Sequence, residues 1–248
     1  MSMQNHKKYY SLMFAIFLLL NFTATAQDSL QTTPTDESTF SINIGQDIAF
    51  GFYLGANGSV SLRENLHFTY YANYWANPAY GNPTTGTDYW TEVGIGLQKD
   101  YFNKQLIINP TLGFTFGKDL SGGTTGVIGD GIVPNLVISY CRKKFESQLY
   151  VSYYAALRKM GAVTLDYFWY SVWMGRFFSK NFSAGAHFEH FMIARKTGAK
   201  SENVFQWLGI YLETKVKEQY LLRLTLGAEL LPYTEVTDFY KLYLFIPF

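Results

Sequence analysis

The chain has 248 residues, 20 basic and 19 acidic side chains for a net charge of +1, and a single cysteine. That balance gives no reason to expect nucleic acid, and no basic cluster with stacking aromatics stands out; lone Cys141 excludes an internal disulfide framework and lies too far downstream to carry a lipoprotein anchor. Apolar residues make up 48% of the chain and aromatics 19%, yet the mean hydropathy is close to zero, so apolar and polar residues are interleaved and not pooled in spanning helices.

The amino terminus reads as a targeting segment. Lys7 and Lys8 precede an unbroken apolar run over 12–20, and Ala24, Thr25 and Ala26 supply the small residues a signal peptidase accepts. The run is roughly half of the ~20 residues a membrane-crossing helix needs. The expectation is a signal peptide over 1–26, cleaved before Gln27, followed by a flexible periplasmic lead-in over 27–38 that is rich in Thr and carries Pro34.

From 39 onward the period becomes two. Phe40, Ile42 and Ile44 alternate with Ser41, Asn43 and Gly45, as side chains do on opposite faces of a strand. Phe68, Tyr70, Ala72 and Tyr74 oppose His67, Thr69, Tyr71 and Asn73; Leu106, Ile108, Leu112, Phe114 and Phe116 oppose Asn109, Thr111, Gly113, Thr115 and Gly117, with Pro110 as an irregularity. Phe182, Ala184, Ala186 and Phe188 oppose Ser183, Gly185, His187 and Glu189, and Leu222, Leu224, Leu226 and Ala228 oppose Arg223, Thr225, Gly227 and Glu229. In these strands the charges fall on one face. No sustained apolar stripe at helical spacing occurs, so no helix is expected in the mature chain beyond loop turns.

The connections alternate in length. Short ones fall at 63–65, 99–104, 142–144, 179–181 and 217–219, long ones at 78–88, 118–131 and 195–203, as in barrels with short periplasmic turns and long external loops. The count is about twelve strands, an even number that returns the chain to the periplasm. No strong turn signal lies between Gly45 and Phe50, so 40–62 is either two strands or one strand after a plug segment, and ten strands is the alternative.

In the last strand Tyr240, Leu242, Leu244, Ile246 and Phe248 are apolar at every second position and end on a terminal aromatic. Here the chain resembles bacterial outer-membrane β-barrel, porin-like proteins, whose last strand is read by the barrel assembly machinery. The resemblance implies an all-β, transmembrane, antiparallel up-and-down barrel over 39–248 in the bacterial outer membrane, with outer-membrane lipid, lipopolysaccharide and that machinery as partners. Pro247 departs from the pattern, because it removes a ladder hydrogen bond where the first and last strands should meet.

The face opposite the apolar one carries His67, Glu92, His187, Glu189, Glu213, Arg223, Glu229 and Lys241. Lipid would reject these groups, so they are expected to line the lumen. Two readings follow: a water-filled channel that selects by charge and width, or a salt-bridged filling of a closed barrel, since twelve strands lies between filled and open sizes. A third, lipid-modifying reading would use His187, Glu189 and His190, but His190 points away from the other two on a strand, and no Gly-x-Ser-x-Gly turn is present. No catalytic residue, metal site or cofactor is assigned.

The glycines of 121–131 lack the lysine and the following helix of a phosphate loop, and read as an external loop that would narrow the pore if it folded inward. Trp75, Tyr80, Tyr89 and Trp90 bracket the first long loop and suit an interfacial girdle, with sugar stacking as the alternative. The expected function is a small porin-like channel for small hydrophilic solutes, and a closed structural or surface-binding barrel is its rival.

Overall fold

The computed structural model describes residues 38–76, 90–217, 219–232 and 237–248; the expected signal peptide, nearly all of the lead-in, the loop at 78–88, Tyr80 and Tyr89 lie outside them. The described chain forms twelve strands: β1 (Thr39–Asp47), β2 (Gly51–Arg63), β3 (Leu66–Trp75), β4 (Trp90–Tyr101), β5 (Leu106–Gly117), β6 (Val127–Arg142), β7 (Phe145–Ala156), β8 (Leu165–Phe177), β9 (Phe182–Lys196), β10 (Glu202–Val216), β11 (Tyr220–Glu229) and β12 (Asp238–Pro247). Each strand pairs antiparallel with its neighbours in sequence, and β1 pairs with β12, so the barrel closes. No helix occurs among the described residues.

Closure matters because lipid offers no partner to an open strand edge. The seam runs from Ser41 opposite Pro247 to Asp47 opposite Lys241. Pro247 has no N–H to give, and the pairing continues past it: Phe248 donates its amide to the Phe40 carbonyl at 2.9 Å, and the two rings lie 5.8 Å apart.

The doubtful first hairpin is two strands joined by the short turn 48–50. Its signal is chemical, not compositional. The Asp47 carboxylate accepts the amides of Ala49 at 2.9 Å and Phe50 at 2.6 Å, and Gly51 takes φ +68°, which glycine adopts without steric cost. At the opposite end of the barrel the tight turns place Asn65, Lys143 and Lys217 at positive φ, the backbone conformation that short hairpin loops use to follow the strand twist.

The long connections differ in detail from expectation. β6 begins at Val127, which shortens the glycine loop to 118–126; β9 and β10 extend the ladder until only 197–201 separates them, and the connection at 157–164 lies at the same end of the barrel.

Outward positions are predominantly apolar along the strands. Phe52, Leu54, Ile95, Leu97, Leu112, Ile210, Leu226 and Leu242 are each at least 41% exposed, an apolar band of the kind that faces hydrocarbon. Ile95 is 56% exposed near the middle of β4. Ile95→Arg is expected to destabilise the folded barrel by about 2–4 kcal/mol, the cost of a cation near the bilayer midplane, as read from urea unfolding in lipid vesicles.

Candidate functional site: the barrel lumen

The strand registers decide what faces inward. Glu189 pairs with Trp207 and His187 with Gly209 across β9 and β10, Glu213 with Arg223 across β10 and β11, Thr225 with Lys241 across β11 and β12, and Asn73 with Glu92 across β3 and β4. His67, Glu92, His187, Glu189, Glu213, Arg223 and Lys241 all stand on the inner face. Glu229 has the same phase but sits at the rim, where its carboxylate accepts the amides of Gln206 at 2.8 Å and Leu231 at 2.9 Å. It finishes the strand end instead of lining the bore.

The first ionic group joins β1, β8, β9 and β12. Lys241 reaches Glu189 at 2.6 Å and lies 3.7 Å from Asp47. Glu189, 0% exposed, also contacts His187 at 3.0 Å and accepts the Trp169 indole N–H at 2.9 Å. The Lys241 ammonium stands 5.2 Å from the Trp207 ring centre and 5.9 Å from that of Trp169. A buried charge persists only when paired and hydrogen-bonded, and here each carboxylate oxygen has a donor.

A second group lies nearer the tight-turn end. Arg223 donates to Glu213 through Nε at 2.7 Å and Nη2 at 2.5 Å, and its guanidinium stacks 4.0 Å over Trp173 and 4.9 Å from Tyr211. Tyr211 in turn donates to Glu146 on β7 at 2.8 Å, lying along the wall over Gly175 of β8. At the same end His67 meets Asp100 at 3.2 Å, and a cavity of about 180 Å³ is lined by neutral hydroxyl and amide side chains including Ser41, Asn57, Thr69, Gln98, Asn109 and Thr111.

Glu92 is different. It is 1% exposed, receives a hydrogen bond from the Tyr71 hydroxyl, which itself accepts Asn135 Nδ2 at 2.9 Å from β6, and has no ion-pair partner among the described residues. Gly113 makes this possible: a Cβ there would overlap both Tyr71 Oη and Glu92 Oε1.

Above these groups the bore is filled by aromatic rings. Phe50, carried inward by the β1–β2 turn, packs 5.2 Å from Trp169, 5.7 Å from Phe191 and 6.1 Å from Phe205, which belong to β8, β9 and β10 on the far wall. Trp90 of β4 meets Tyr154 of β7 at 5.2 Å and Tyr167 of β8 at 6.2 Å. Along one wall Tyr167, Phe191, Phe205, Trp207 and Phe239 form a continuous stack. The space left between Phe50, Trp75, Trp90, Tyr154, Trp169 and Phe191 is about 10 Å³, scarcely room for one water.

This layer corrects one expectation. Trp75 and Trp90 are not girdle residues; they pair with Tyr53 and with each other on the inner face and are 7% and 4% exposed. Much of the aromatic content thus fills the bore. The glycine loop contributes too: Leu120 is fully buried against this cluster, held there by Asp130, whose carboxylate accepts the amides of Leu120 and Ser121 at 2.9 and 3.0 Å.

The two histidines of the third reading are separated. His187 is tied to Glu189, whereas His190 faces outward, 3.3 Å from the Tyr170 hydroxyl and 2.9 Å from Asn203 Oδ1. No cluster of three His, Cys, Asp or Glu side chains that could hold a metal occurs among the described residues.

The fold is shared with known channels. The COG4313 outer membrane channel from Pseudomonas putida F1 superposes with a TM-score of 0.55 at 8% identity, covering 91% of this chain and 100% of that one. The NanC porin gives 0.52 at 8% identity over 84% and 98%, and the KdgM porin 0.51 at 12% identity over 84% and 99%. At such identities the likeness is one of architecture. None of the curated proteins matches by sequence. A family model matches residues 3–248, and the chain belongs to that family, one of unknown function (DUF6733).

Proposed function

We propose that this protein is a small porin-like channel of the bacterial outer membrane, for small hydrophilic solutes, held shut in this structure at the Phe50 layer. The observation that carries this is the inner wall: ionisable and hydroxyl side chains line it on every side, and a polar cavity opens beneath the aromatic layer. A barrel packed only as a scaffold would have no need of that polar cavity of about 180 Å³.

Charge supports a cation preference. Inward carboxylates (Asp47, Glu92, Asp100, Glu146, Glu189, Glu213) outnumber the inward fixed cations Lys215, Arg223 and Lys241, and charged side chains lining a pore set ion preference in this way. KdgM has been seen in complex with disordered oligogalacturonate; such a polyanion suits this acidic wall poorly. A lipid-modifying activity finds no support in the separated histidines, and the apolar strand of Tyr240, Leu242, Leu244, Ile246 and Phe248 fits the role of assembly signal.

The aromatic layer itself favours one other reading, a closed barrel that never conducts. Planar-bilayer recording separates the two. Discrete current steps with a reversal potential on the cation side are expected from the folded protein or its Phe50→Ala variant in a KCl gradient. Silence from both, each shown to be folded by heat-modifiable migration in detergent gels, would establish the closed barrel.

A further inference from the structure

Two fixed cations of this bore, Lys241 and Arg223, are held by the same chemistry, a carboxylate together with two aromatic faces. Lys241 has Glu189 with Trp207 and Trp169; Arg223 has Glu213 with Trp173 and Tyr211. A third set of the same composition exists on the opposite wall. Glu92 is followed up the inner face of β4 by Trp90, whose ring meets Tyr154 at 5.2 Å and Trp75 at 6.0 Å, and Tyr71 completes it from β3. No basic side chain of the described residues is ion-paired with it.

Its polar atoms are also left over. Glu92 Oε2 and Trp90 Nε1 are buried without a well-formed hydrogen bond, as is the hydroxyl of Thr115, which stands directly opposite Glu92 on β5; the Tyr154 hydroxyl lies beside the Glu92 carboxyl and is the nearest further donor to it. A buried carboxylate oxygen so weakly satisfied is costly, whereas Glu189 and Glu213 each have a basic partner. The residual space bounded by Trp90, Trp75 and Tyr154 is closed on its far side by Phe50.

We propose that Glu92, Trp90, Trp75 and Tyr154 form a recognition site for the ammonium group of an organic cation, uncovered when the Phe50 turn withdraws. The aromatic faces attract a positive charge through their quadrupoles, and the carboxylate supplies the counter-charge in a setting where it is poorly screened. This rests on the channel reading in one respect, that the Phe50 layer opens.

The test is equilibrium binding, which needs no conduction. Folded Phe50→Ala barrel in detergent is titrated calorimetrically with choline and with its uncharged carbon isostere. Choline should bind saturably and the isostere should not, and adding Glu92→Gln should weaken choline by at least about tenfold, the scale of a desolvated cation–π contact plus its counter-ion. Equal binding of the two probes, absence of binding, or binding that survives Glu92→Gln would overturn the site; should Phe50→Ala fail to fold, Phe50→Leu takes its place. Currents without choline binding would remove the site and leave the channel, and binding without currents would do the reverse.

Discussion

Phe50→Ala is expected to raise single-channel conductance in planar bilayers by at least about tenfold, because a dry apolar constriction gates by excluding water and widening it past wetting restores flow. Phe50 is the ring to remove because it alone hangs from a turn, whereas its partners Trp169, Phe191 and Phe205 are fixed to ladder strands. The same change should cost about 3–5 kcal/mol of stability, the usual range for a large aromatic truncated in a packed core. Both readouts are needed. A fall in the urea midpoint without new current would mean that the remaining rings still seal the bore.

Lys241→Met is the second large effect. Glu189 and Asp47 would keep their burial and lose their cation, and removing one partner of a buried pair costs about 3–5 kcal/mol because the other charge is stranded. Adding Glu189→Gln should recover much of that loss, since two neutral groups of similar shape replace a mismatched one. Urea unfolding in vesicles, followed by tryptophan fluorescence, measures both variants. An uncorrected double mutant would show that the ion pair contributes less than its packing against Trp207 and Trp169.

The architecture was legible because lipid imposes a strict alternation: once Phe182, Leu222 or Tyr240 is placed outward, every second residue follows, and short turns mark one end of the barrel. Charge marks the residues expected to line the bore, and their registers put all but rim-bound Glu229 along the inner wall. What charge could not reveal was the aromatic filling. Phe191 shares the phase of His187 and Glu189, and Phe205 and Trp207 share that of Glu213, so their inward direction was written in the sequence; composition instead suggested a girdle, because aromatics serve both purposes. Phe50 had no such phase. It lies in a turn whose signal is a single side chain, Asp47 accepting two amides, and neither glycine-rich punctuation nor periodicity announces that. The pairing of Tyr71 with Asn135 and of Tyr211 with Glu146 runs along the inner wall, over glycines of the intervening strands, between strands that are not neighbours, beyond what local pattern can report.

The Asp47–Lys241 contact joins residues that sit directly across the β1–β12 seam. The stopper therefore hangs from the first strand and is pinned by the last, and it has nothing to lock against until the cylinder is zipped. Closing the wall and seating the cork thus draw on the same two strands.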